Sequence, residues 1–245
     1  MTRFFHGVAT STGHVRRVNE DSYLALSPLY AVADGMGGHG AGDVASRLAI
    51  EELVKCVVPG RALQVETILA ALDSANRVII ERDEAYGMGT TITGLAGVES
   101  AGGTHLMVFN VGDSRVYRLA VGRLDQMSVD HSEVQELVRA GALTAEQART
   151  HPRRNVVTRA LGSNMVVRPD HWLLPAVVGD RYLLCSDGLF GELLDEEIRE
   201  LLAAGDPQQA ATMLVAAADD AGGRDNITAI VVDIDADDGG AGDPA

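Results

Sequence analysis

The order of the predicted strands and helices limits the fold of this chain more than any other feature. Several short segments are rich in Val, Ile, Leu, Thr or Tyr and are bounded by Gly, Asp, Ser or Pro, which is typical of strands. They follow one another in runs, without a helix after each strand. The predicted strands are FFHGVATS, SYLAL, LYAVA, TTITGLAGV, THLMVFNVG, RVYRLAVG, HWLLPAVV, RYLLCS and ITAIVVDI.

Apolar residues at helical spacing predict helices that come in consecutive pairs. The first pair covers about 42–57 and 65–85, and the second covers 195–202 and 207–221. Strands in runs and helices in pairs are typical of an α+β protein with antiparallel sheets and helices packed outside them. The pattern argues against a doubly wound fold, in which single strands and single helices alternate.

The composition of the 245-residue chain disfavours several classes of partner. A formal net charge of −15 repels nucleic-acid phosphates and anionic lipid, so we expect neither as a partner. Cys56 and Cys185 provide no disulfide framework, which suits a reducing compartment. No stretch approaches the ~18 apolar residues of a membrane span, and the first residues lack the apolar core of a signal peptide. We therefore expect a cytoplasmic protein, and a monomer.

The stretch AVADGMGGHGAG, residues 31–42, matches the G-x-G-x-x-G pattern of dinucleotide-binding turns at Gly35, Gly37 and Gly40. A dinucleotide site needs a strand after the helix that follows the glycines, and here a second helix follows. Asp34, directly before the first glycine, would also repel a pyrophosphate. The match is therefore coincidental. We interpret Asp34 as the functional residue and the glycines as the residues that leave room around it.

Acidic residues flank apolar segments at several points of the sequence. Asp34, Asp113 and Asp187 each end such a segment, and Asp225 stands just before one. Each of these acids alone is typical of a turn, but the first and third lead into helical sequence rather than into a partner strand. Together with Glu20-Asp21 they could meet at one edge of a sheet and hold hard divalent cations. A structural calcium site is the alternative, although the sequence has no EF-hand loop.

Six short motifs in one order give the sequence a specific resemblance. It resembles the metal-dependent Ser/Thr protein phosphatases of the PPM (type 2C) family, in their bacterial form, and the matches span residues 15–228. The matching pieces are V15-R16-x-x-N19-E20-D21, A33-D34-G35-M36-G37-G38-H39, G89-T90-T91, V111-G112-D113-S114-R115, S186-D187-G188 and D225-N226-I227-T228.

The resemblance implies a fold and a domain division. The implied fold is a central antiparallel β-sandwich flanked by pairs of helices, within the α+β class. We expect a catalytic domain over 1–235, with a flap at about 131–162. Residues 236–245 form an acidic, glycine-rich tail whose composition predicts disorder.

The resemblance also implies roles for the acids that flank the strands. Asp34 matches the acid that bridges two catalytic metals, and Gly35 matches the residue whose carbonyl binds one of them. Asp187 and Asp225 match the ligands of the other catalytic metal. Asp113 matches the acid that, with Asp187, holds a third metal in bacterial members.

Two further matches lie near the start of the chain. Glu20 and Asp21 match an acidic pair that reaches the metals directly or through water. Arg16 matches the arginine that binds the substrate phosphate, a role suited to its planar guanidinium. Arg17 is adjacent, and because a strand alternates its faces we expect at most one of the two arginines to point inward.

The resemblance implies hydrolysis of phosphoserine and phosphothreonine in proteins by a water that bridges two divalent metals, Mn²⁺ or Mg²⁺, with a third ion expected. The implied partners are a Ser/Thr kinase and its phosphorylated substrates. One alternative is the phosphatase of a partner-switching transcriptional regulator. A second is a non-catalytic phosphoprotein-binding relative, which the presence of every expected acid disfavours.

The sequence leaves the proton donor for the leaving group open. Some family members have a His two residues after the bridging Asp, and here that position is Met36. His39 is a substitute candidate, and a metal-bound water is another. We assign no chemistry to the remaining histidines, which are scattered.

A cysteine-based phosphatase is excluded because neither Cys56 nor Cys185 begins a Cys-x5-Arg motif.

The segment 131–162 is basic in an otherwise acidic chain. Its first half predicts two short helical turns broken at Gly141, and its second half carries a cluster of four arginines. A solvated charged face is the simpler interpretation. Because the resemblance places this flap beside the metals, we instead predict that it binds anionic phosphoproteins. The arginines are Arg149, Arg153, Arg154 and Arg159.

Overall fold

A computed structural model of the chain describes residues 2–37, 41–58, 61–83, 87–100 and 103–236. The strands are β1 (Thr2–Ser11), β2 (Asp21–Leu26), β3 (Leu29–Met36), β4 (Gly89–Thr90), β5 (Ile92–Ser100), β6 (Gly103–Val111), β7 (Arg115–Ala120), β8 (Arg123–Gln126), β9 (Asp170–Pro175), β10 (Arg181–Cys185) and β11 (Ile227–Ala236). The helices are α1 (Gly42–Val54), α2 (Val65–Arg82), α3 (Glu133–Arg139), α4 (Ala145–Thr150), α5 (Asp187–Phe190), α6 (Asp195–Leu202) and α7 (Pro207–Ala221).

The strands form two antiparallel sheets. The first has the order β1-β11-β10-β7-β8, so the last strand of the chain lies beside the first. The second has the order β2-β3-β5-β6-β9, and the short β4 pairs with β3. All the pairings within these sheets are antiparallel, and hairpins join β2 to β3, β5 to β6 and β7 to β8, in agreement with the antiparallel sheets that the runs of strands predict.

The central core lies between the two sheets. Tyr30 on β3 and Leu106 on β6 are fully buried from one side, and Tyr182 on β10 and Ile230 on β11 are fully buried from the other. Burial of side chains of this size contributes about 1.5–3 kcal/mol each to stability. The inward-facing residues of both sheets therefore make one apolar layer, as in a β-sandwich.

Helices cover the outer face of each sheet. Helices α1 and α2 pack on the second sheet, where Leu53 and Ile68 join a buried cluster with strand residues such as Phe109. Helices α5, α6 and α7 cover the first sheet through residues such as Leu214. The predicted α+β sandwich flanked by helices is confirmed.

The structure differs from the sequence-based expectations in small ways. Strand β8 was not predicted, and it follows a turn at Val121-Gly122 in which both residues have positive φ. The predicted strand 90–98 is interrupted between β4 and β5. Helix α1 ends at Val54, a turn earlier than expected. The tail predicted at 236–245 lies outside the described residues, apart from the final residue of β11.

The first two helices are held by a close backbone approach at the end of β3. A Cβ atom on Gly35 would lie 2.1 Å from the carbonyl oxygen of Gly42, the first residue of α1. Only glycine allows this contact, so Gly35 leaves room for α1 directly after Asp34, as expected, whereas Gly38 and Gly40 lie outside the described residues. None of the helices in the described residues combines the length and apolar character needed to cross a membrane.

Candidate metal centre

Asp34 lies near the end of β3, directly opposite Asp21 at the start of β2. Its backbone is fixed on both sides: its N–H donates to Thr91 Oγ1 at 3.0 Å, and its carbonyl accepts from Thr90 Oγ1 and from the Thr91 N–H, both at 2.9 Å. The strand therefore holds the backbone of Asp34 rigidly beside that of Asp21.

The two carboxylate oxygens of Asp21 differ in their hydrogen bonding. Oδ2 accepts a 2.8 Å hydrogen bond from Ser186 Oγ, which joins the two sheets at this end of the sandwich. Oδ1 is buried without a hydrogen-bond partner among the described residues. A buried carboxylate oxygen without a donor is costly, and a cation would satisfy it.

Asp187 is the first residue of α5 and follows β10 after Ser186. The next residue must be glycine, because a Cβ on Gly188 would lie 2.1 Å from the carbonyl oxygen of Asn226. This approach brings the segment before β11, including Asp225, against the start of α5. The motifs around Asp187 and Asp225 are thus in direct contact.

Arg16 reaches the same end of the sandwich from the loop between β1 and β2. Its Nη2 donates to Asp225 Oδ2 at 2.7 Å, and half of its side chain remains exposed. The expectation that one of Arg16 and Arg17 points inward rested on strand alternation, and that reason is wrong. Both residues lie in a loop, and the Asp225 contact distinguishes Arg16.

Asn226 organises that loop. Its side-chain nitrogen donates to the carbonyls of Thr12 and Val18, both at 3.0 Å, and its oxygen accepts from the Glu20 N–H at 2.8 Å. A single buried amide therefore fixes the loop that carries Arg16 and the residue before Asp21. The role of Asn226 was not predicted, because its contacts are more than 200 residues away in sequence.

Asp113 follows β6 in a loop that also faces the cluster. It is 7% exposed. Asp113 and Asp187 line one side of a cavity of about 320 Å³. The other side is formed by α3, α4 and the residues after them, in the predicted flap. The structure therefore places the two acids expected to share a third ion in one cavity.

Burial and mutual repulsion dominate the electrostatics of these acids. Burial raises the pKa of Asp21 to about 7, and burial followed by the charge of Asp187 raises the pKa of Asp113 to about 8. Burial and the neighbouring charge of Asp225 raise the pKa of Asp187 to about 6. The pKa of Asp34 is also raised well above its ordinary value, by burial and then by the charge of Asp21. These carboxylates repel one another when they are charged, and a bound dication would offset that repulsion.

Glu20 and Asp43 lie at the edge of the cluster. Burial raises the pKa of Glu20, and the charge of Asp43 adds to this shift. Asp43 Oδ1 is buried without a partner among the described residues. Asp43 was missed because an acid in the first turn of a helix is common there for its interaction with the helix dipole.

The donor set fits divalent cations in kind. The cluster offers carboxylate oxygens and no thiolate, which suits Mn²⁺ and Mg²⁺. In the described part of the chain, however, no three His, Cys, Asp or Glu side chains close into a finished metal site. The structure therefore brings the predicted acids together without showing their final ligand geometry. His39, a candidate proton donor, lies outside the described residues.

The four flap arginines do not form one basic face. Arg159 pairs with Asp170 at 2.8 Å, and Arg149 Nη2 donates to the Leu193 carbonyl at 3.2 Å. Arg153 pairs with Glu133 on α3. Arg154 lines the cavity beside Asp113. The two helical turns expected on either side of Gly141 are present as α3 and α4.

Comparison with known proteins identifies the class of protein that has this sandwich, with its acid cluster and adjacent arginine. The family model described as "Protein phosphatase 2C" matches residues 12–217. The chain belongs to this family of serine/threonine protein phosphatases.

Individual relatives agree with this assignment. The chain is 40% identical over 234 residues to the serine/threonine protein phosphatase PstP of Mycobacterium tuberculosis. The aligned region covers 94% of this chain and 45% of that protein. The chain therefore spans about half the length of this relative. It is 37% identical to the serine/threonine phosphatase stp of Listeria monocytogenes, over 92% of this chain and 94% of that protein.

A solved structure shows the same fold. The catalytic domain of a phosphatase named PstP, in complex with two manganese ions, superimposes with a TM-score of 0.86 at 37% identity. The match covers 96% of this chain and all of that domain.

Proposed function

We propose that this chain hydrolyses phosphoserine and phosphothreonine in proteins with the help of divalent cations. The observation that carries the proposal is the convergence of acids from separate chain segments at one end of the sandwich, beside one exposed arginine. Serine/threonine phosphatase names among its relatives support the reaction class. The manganese ions in the related PstP domain support Mn²⁺ as the cation, and Mg²⁺ is the second candidate.

Each residue of the proposed site has a defined task. Asp34 would be a ligand of both cations, the Gly35 carbonyl would bind one of them, and Asp187 and Asp225 would hold the other. Glu20 and Asp21 complete the ligand set directly or through water. Two dications held in this way would supply a water activated for attack on phosphorus.

Arg16 binds the substrate phosphate in this proposal. It contacts Asp225 through one nitrogen only, and half of its side chain is exposed, so the other guanidinium donors are accessible to a phosphate. The surrounding carboxylates hold it in place: a hydrogen bond to Asp225 raises its pKa, so the group stays charged. A fixed, charged guanidinium suits a phosphate monoester dianion.

A thiol-based mechanism is disfavoured by the surroundings of Cys185. This residue is fully buried, and burial raises the pKa of its thiol far above neutrality. Cys185 acts as a small apolar side chain beneath the site, as expected from its place at the end of an apolar strand.

The remaining parts of the proposal concern the cellular setting. We propose that residues 1–235 form the catalytic domain, that the protein acts as a monomer in the cytoplasm, and that its partners are a Ser/Thr kinase and that kinase's targets.

A third ion would bind between Asp113 and Asp187. The Asp113→Ala variant tests this ion: calorimetric titration should show fewer bound Mn²⁺ ions than in the wild type, and equal stoichiometry would refute it.

The activity is tested with p-nitrophenyl phosphate and a phosphothreonine peptide. The metal-stripped protein should be inactive in excess EDTA and should recover with Mn²⁺ added beyond the chelator. Asp34→Asn, purified in parallel, controls for contaminating phosphatase and should stay inactive with Mn²⁺. Full turnover by the stripped protein in EDTA would exclude the proposed mechanism.

A further inference from the structure

The flap is closed at its base by a short antiparallel ladder. Ser132 and Val157 form a bridge, and the Glu133 N–H donates to the Val156 carbonyl at 2.9 Å. The Thr158 N–H donates to the His131 carbonyl at 2.8 Å. The two ends of the flap are therefore tied to each other, and His131 is the residue at which the ladder ends.

The same histidine binds both polar backbone groups of Gly112. The backbone N–H of His131 donates to the Gly112 carbonyl at 2.9 Å. The backbone N–H of Gly112 in turn donates to the ring nitrogen Nδ1 of His131 at 3.0 Å. Gly112 has a φ of +108°, and a Cβ there would lie 2.6 Å from Thr91. The residue before Asp113 is therefore held in an unusual conformation by His131 on one side and Thr91 on the other.

The hydrogen bonds determine which ring nitrogen of His131 carries the proton. A backbone N–H can only donate, so Nδ1 must accept, and the proton of the neutral ring lies on Nε2. Nε2 lies 3.1 Å from Asp170 Oδ2, to which it donates. The ring is 6% exposed, so both nitrogens depend on these protein partners.

Asp170 links the histidine to the far end of the flap. Arg159 Nη1 donates to Asp170 Oδ1 at 2.8 Å and to the Arg168 carbonyl at 3.0 Å. These bonds use both protons of Nη1, so its 3.0 Å approach to His131 Nε2 is a contact and not a hydrogen bond. A continuous chain of bonds therefore runs from Gly112 through the imidazole and Asp170 to Arg159.

We propose that His131 is a positioning residue that fixes the Gly112–Asp113 peptide and couples it to the base of the flap. The inference rests on the proposed function, because it concerns how the flap and the Asp113 carboxylate act together. Movement of the flap base changes the position of the imidazole, and the imidazole carries that change to the residue before Asp113. His131 does not contact substrate in this arrangement.

Two substitutions separate the two sides of the ring. In His131→Asn the amide oxygen lies close to the position of Nδ1 and can accept from the Gly112 N–H, whereas the bond to Asp170 is lost. In His131→Gln the amide reaches the position of Nε2 and can bond Asp170, whereas the bond to Gly112 is lost. The control is His171→Asn, which changes an exposed histidine one residue after Asp170.

The first measurement is hydrogen exchange of the Gly112 amide in metal-free protein. Exchange should accelerate roughly tenfold in His131→Gln, the factor for losing one ordinary net hydrogen bond, and should change little in His131→Asn or the control. Exchange at Glu133 and Thr158, whose N–H groups form the ladder at the flap base, should increase in His131→Asn, where the link to Asp170 is lost. Equal protection of Gly112 in both His131 variants would overturn the proposal.

The second measurement is calorimetric titration with Mn²⁺, with Asp113→Ala as the reference. The affinity of the ion that Asp113→Ala loses should fall roughly tenfold or more in His131→Gln and should remain in His131→Asn. Unchanged Mn²⁺ binding in His131→Gln would contradict the positioning role. If wild type hydrolyses no phosphate ester, the proposed function fails, and the exchange comparison still decides the coupling.

Thermal unfolding of each variant separates positioning from loss of the fold. If His131→Asn does not fold, Asp170→Asn takes its place, because it weakens the partner of Nε2 and leaves the Gly112 bond intact. Its Gly112 amide should keep wild-type protection while exchange at Thr158 increases. Loss of Gly112 protection in this variant or in His131→Asn would refute the assignment.

Discussion

In the proposed mechanism, Asp34 is unfavourable for folding of the metal-free protein and necessary for the chemistry. Its pKa is raised by burial and by the charges of its neighbours, chiefly Asp21. We expect Asp34→Asn to abolish turnover, because a neutral amide cannot bridge two dications. The same change should stabilise the metal-free protein by about 1 kcal/mol or more, since one pKa unit corresponds to about 1.4 kcal/mol.

The Asp34→Asn prediction is checked by p-nitrophenyl phosphate hydrolysis with Mn²⁺ and by urea unfolding in EDTA. Asp73→Asn is the matched control, because Asp73 is an exposed aspartate on α2 that pairs with Arg77 on the same helix. It should alter neither measurement. A near-normal rate in Asp34→Asn would mean that Asp34 is a turn residue and not a metal ligand.

Arg115 is a second residue whose effect follows from burial. Its guanidinium donates to Asp130 through Nε and Nη2, with the shortest bond at 2.7 Å, and lies 3.8 Å from the Phe190 ring centre on α5. Arg115→Met should destabilise the protein by about 3 kcal/mol, because it leaves Asp130 buried without its cation.

Urea unfolding measures this loss, with Arg123→Met as the control. Arg123 also pairs with an aspartate, but its side chain is 80% exposed, so its removal should change stability by less than about 1 kcal/mol. Equal effects of the two substitutions would show that the Arg115 pair contributes no more than a surface pair.

At the scale of elements, the flap offers a test of substrate recognition. Arg154 lines the cavity beside Asp113, whereas Arg153 is engaged by Glu133. Neutralising both as Arg153→Gln and Arg154→Gln should raise KM for a phosphopeptide and leave kcat on p-nitrophenyl phosphate nearly unchanged, since the lost contacts are remote from the reaction. Arg154→Gln alone should account for most of the increase.

The control for the flap variants is Arg139→Gln, which removes an exposed charge from α3 on the same segment. Steady-state kinetics on both substrates decide the result. Parallel losses on the peptide and on p-nitrophenyl phosphate would show that the arginines support the fold or the metal site. No change on either would leave them as surface charge.

The elements were largely predictable from sequence because local rules decide them. Helices α6 and α7 have the predicted bounds, since α7 begins with a capping box of Asp206 and Gln209 and the Glu197 carboxylate accepts from the N–H of the residue before α6. Strand β8 was missed because its hairpin turns at Val121, and valine is unfavourable at positive φ. No turn signal marked that position.

The acids of the site were predictable from motifs, but their supports were not. Asp34 and Asp187 stand beside glycines in short recognisable patterns. Asn226 and His131 act through contacts with residues distant in sequence, and a single sequence contains no signal for such pairings. The same limit applies to Arg159, which belongs to the basic half of the flap and pairs with Asp170.

At the scale of the whole molecule, the acid cluster sets how stability depends on pH. The folded-state pKa values of Asp187, Asp21 and Asp113 are raised to about 6, 7 and 8 from an ordinary value of 3.8. Groups with raised folded-state pKa values stabilise the protein fully below the unfolded value, and this contribution is lost as pH rises through the folded values. Metal-free protein should therefore be more stable at pH 5.5 than at pH 8.

Thermal unfolding in EDTA at the two pH values tests this direction. The pKa values of some other carboxylates, such as Asp170 and Glu192, are lowered, so these groups increase stability as pH rises. They titrate below pH 5.5 and therefore do not affect the comparison. Saturating Mn²⁺ should reverse the trend, because ligands bind the metal in their deprotonated form. A higher unfolding temperature at pH 8 in EDTA would contradict the assignment of raised pKa values.

The place of β11 affects how the protein is made. This strand is the last one that the structure describes, yet it lies between β1 and β10 inside the first sheet. A ribosome therefore makes β1 and β10 before the strand that fills the gap between them and brings Asp225 to Arg16. Until β11 is made, the proposed phosphate site lacks Asp225, and the edges of β1 and β10 that β11 covers are unpaired. A chain stopped before residue 225 should therefore be inactive and prone to associate through those edges.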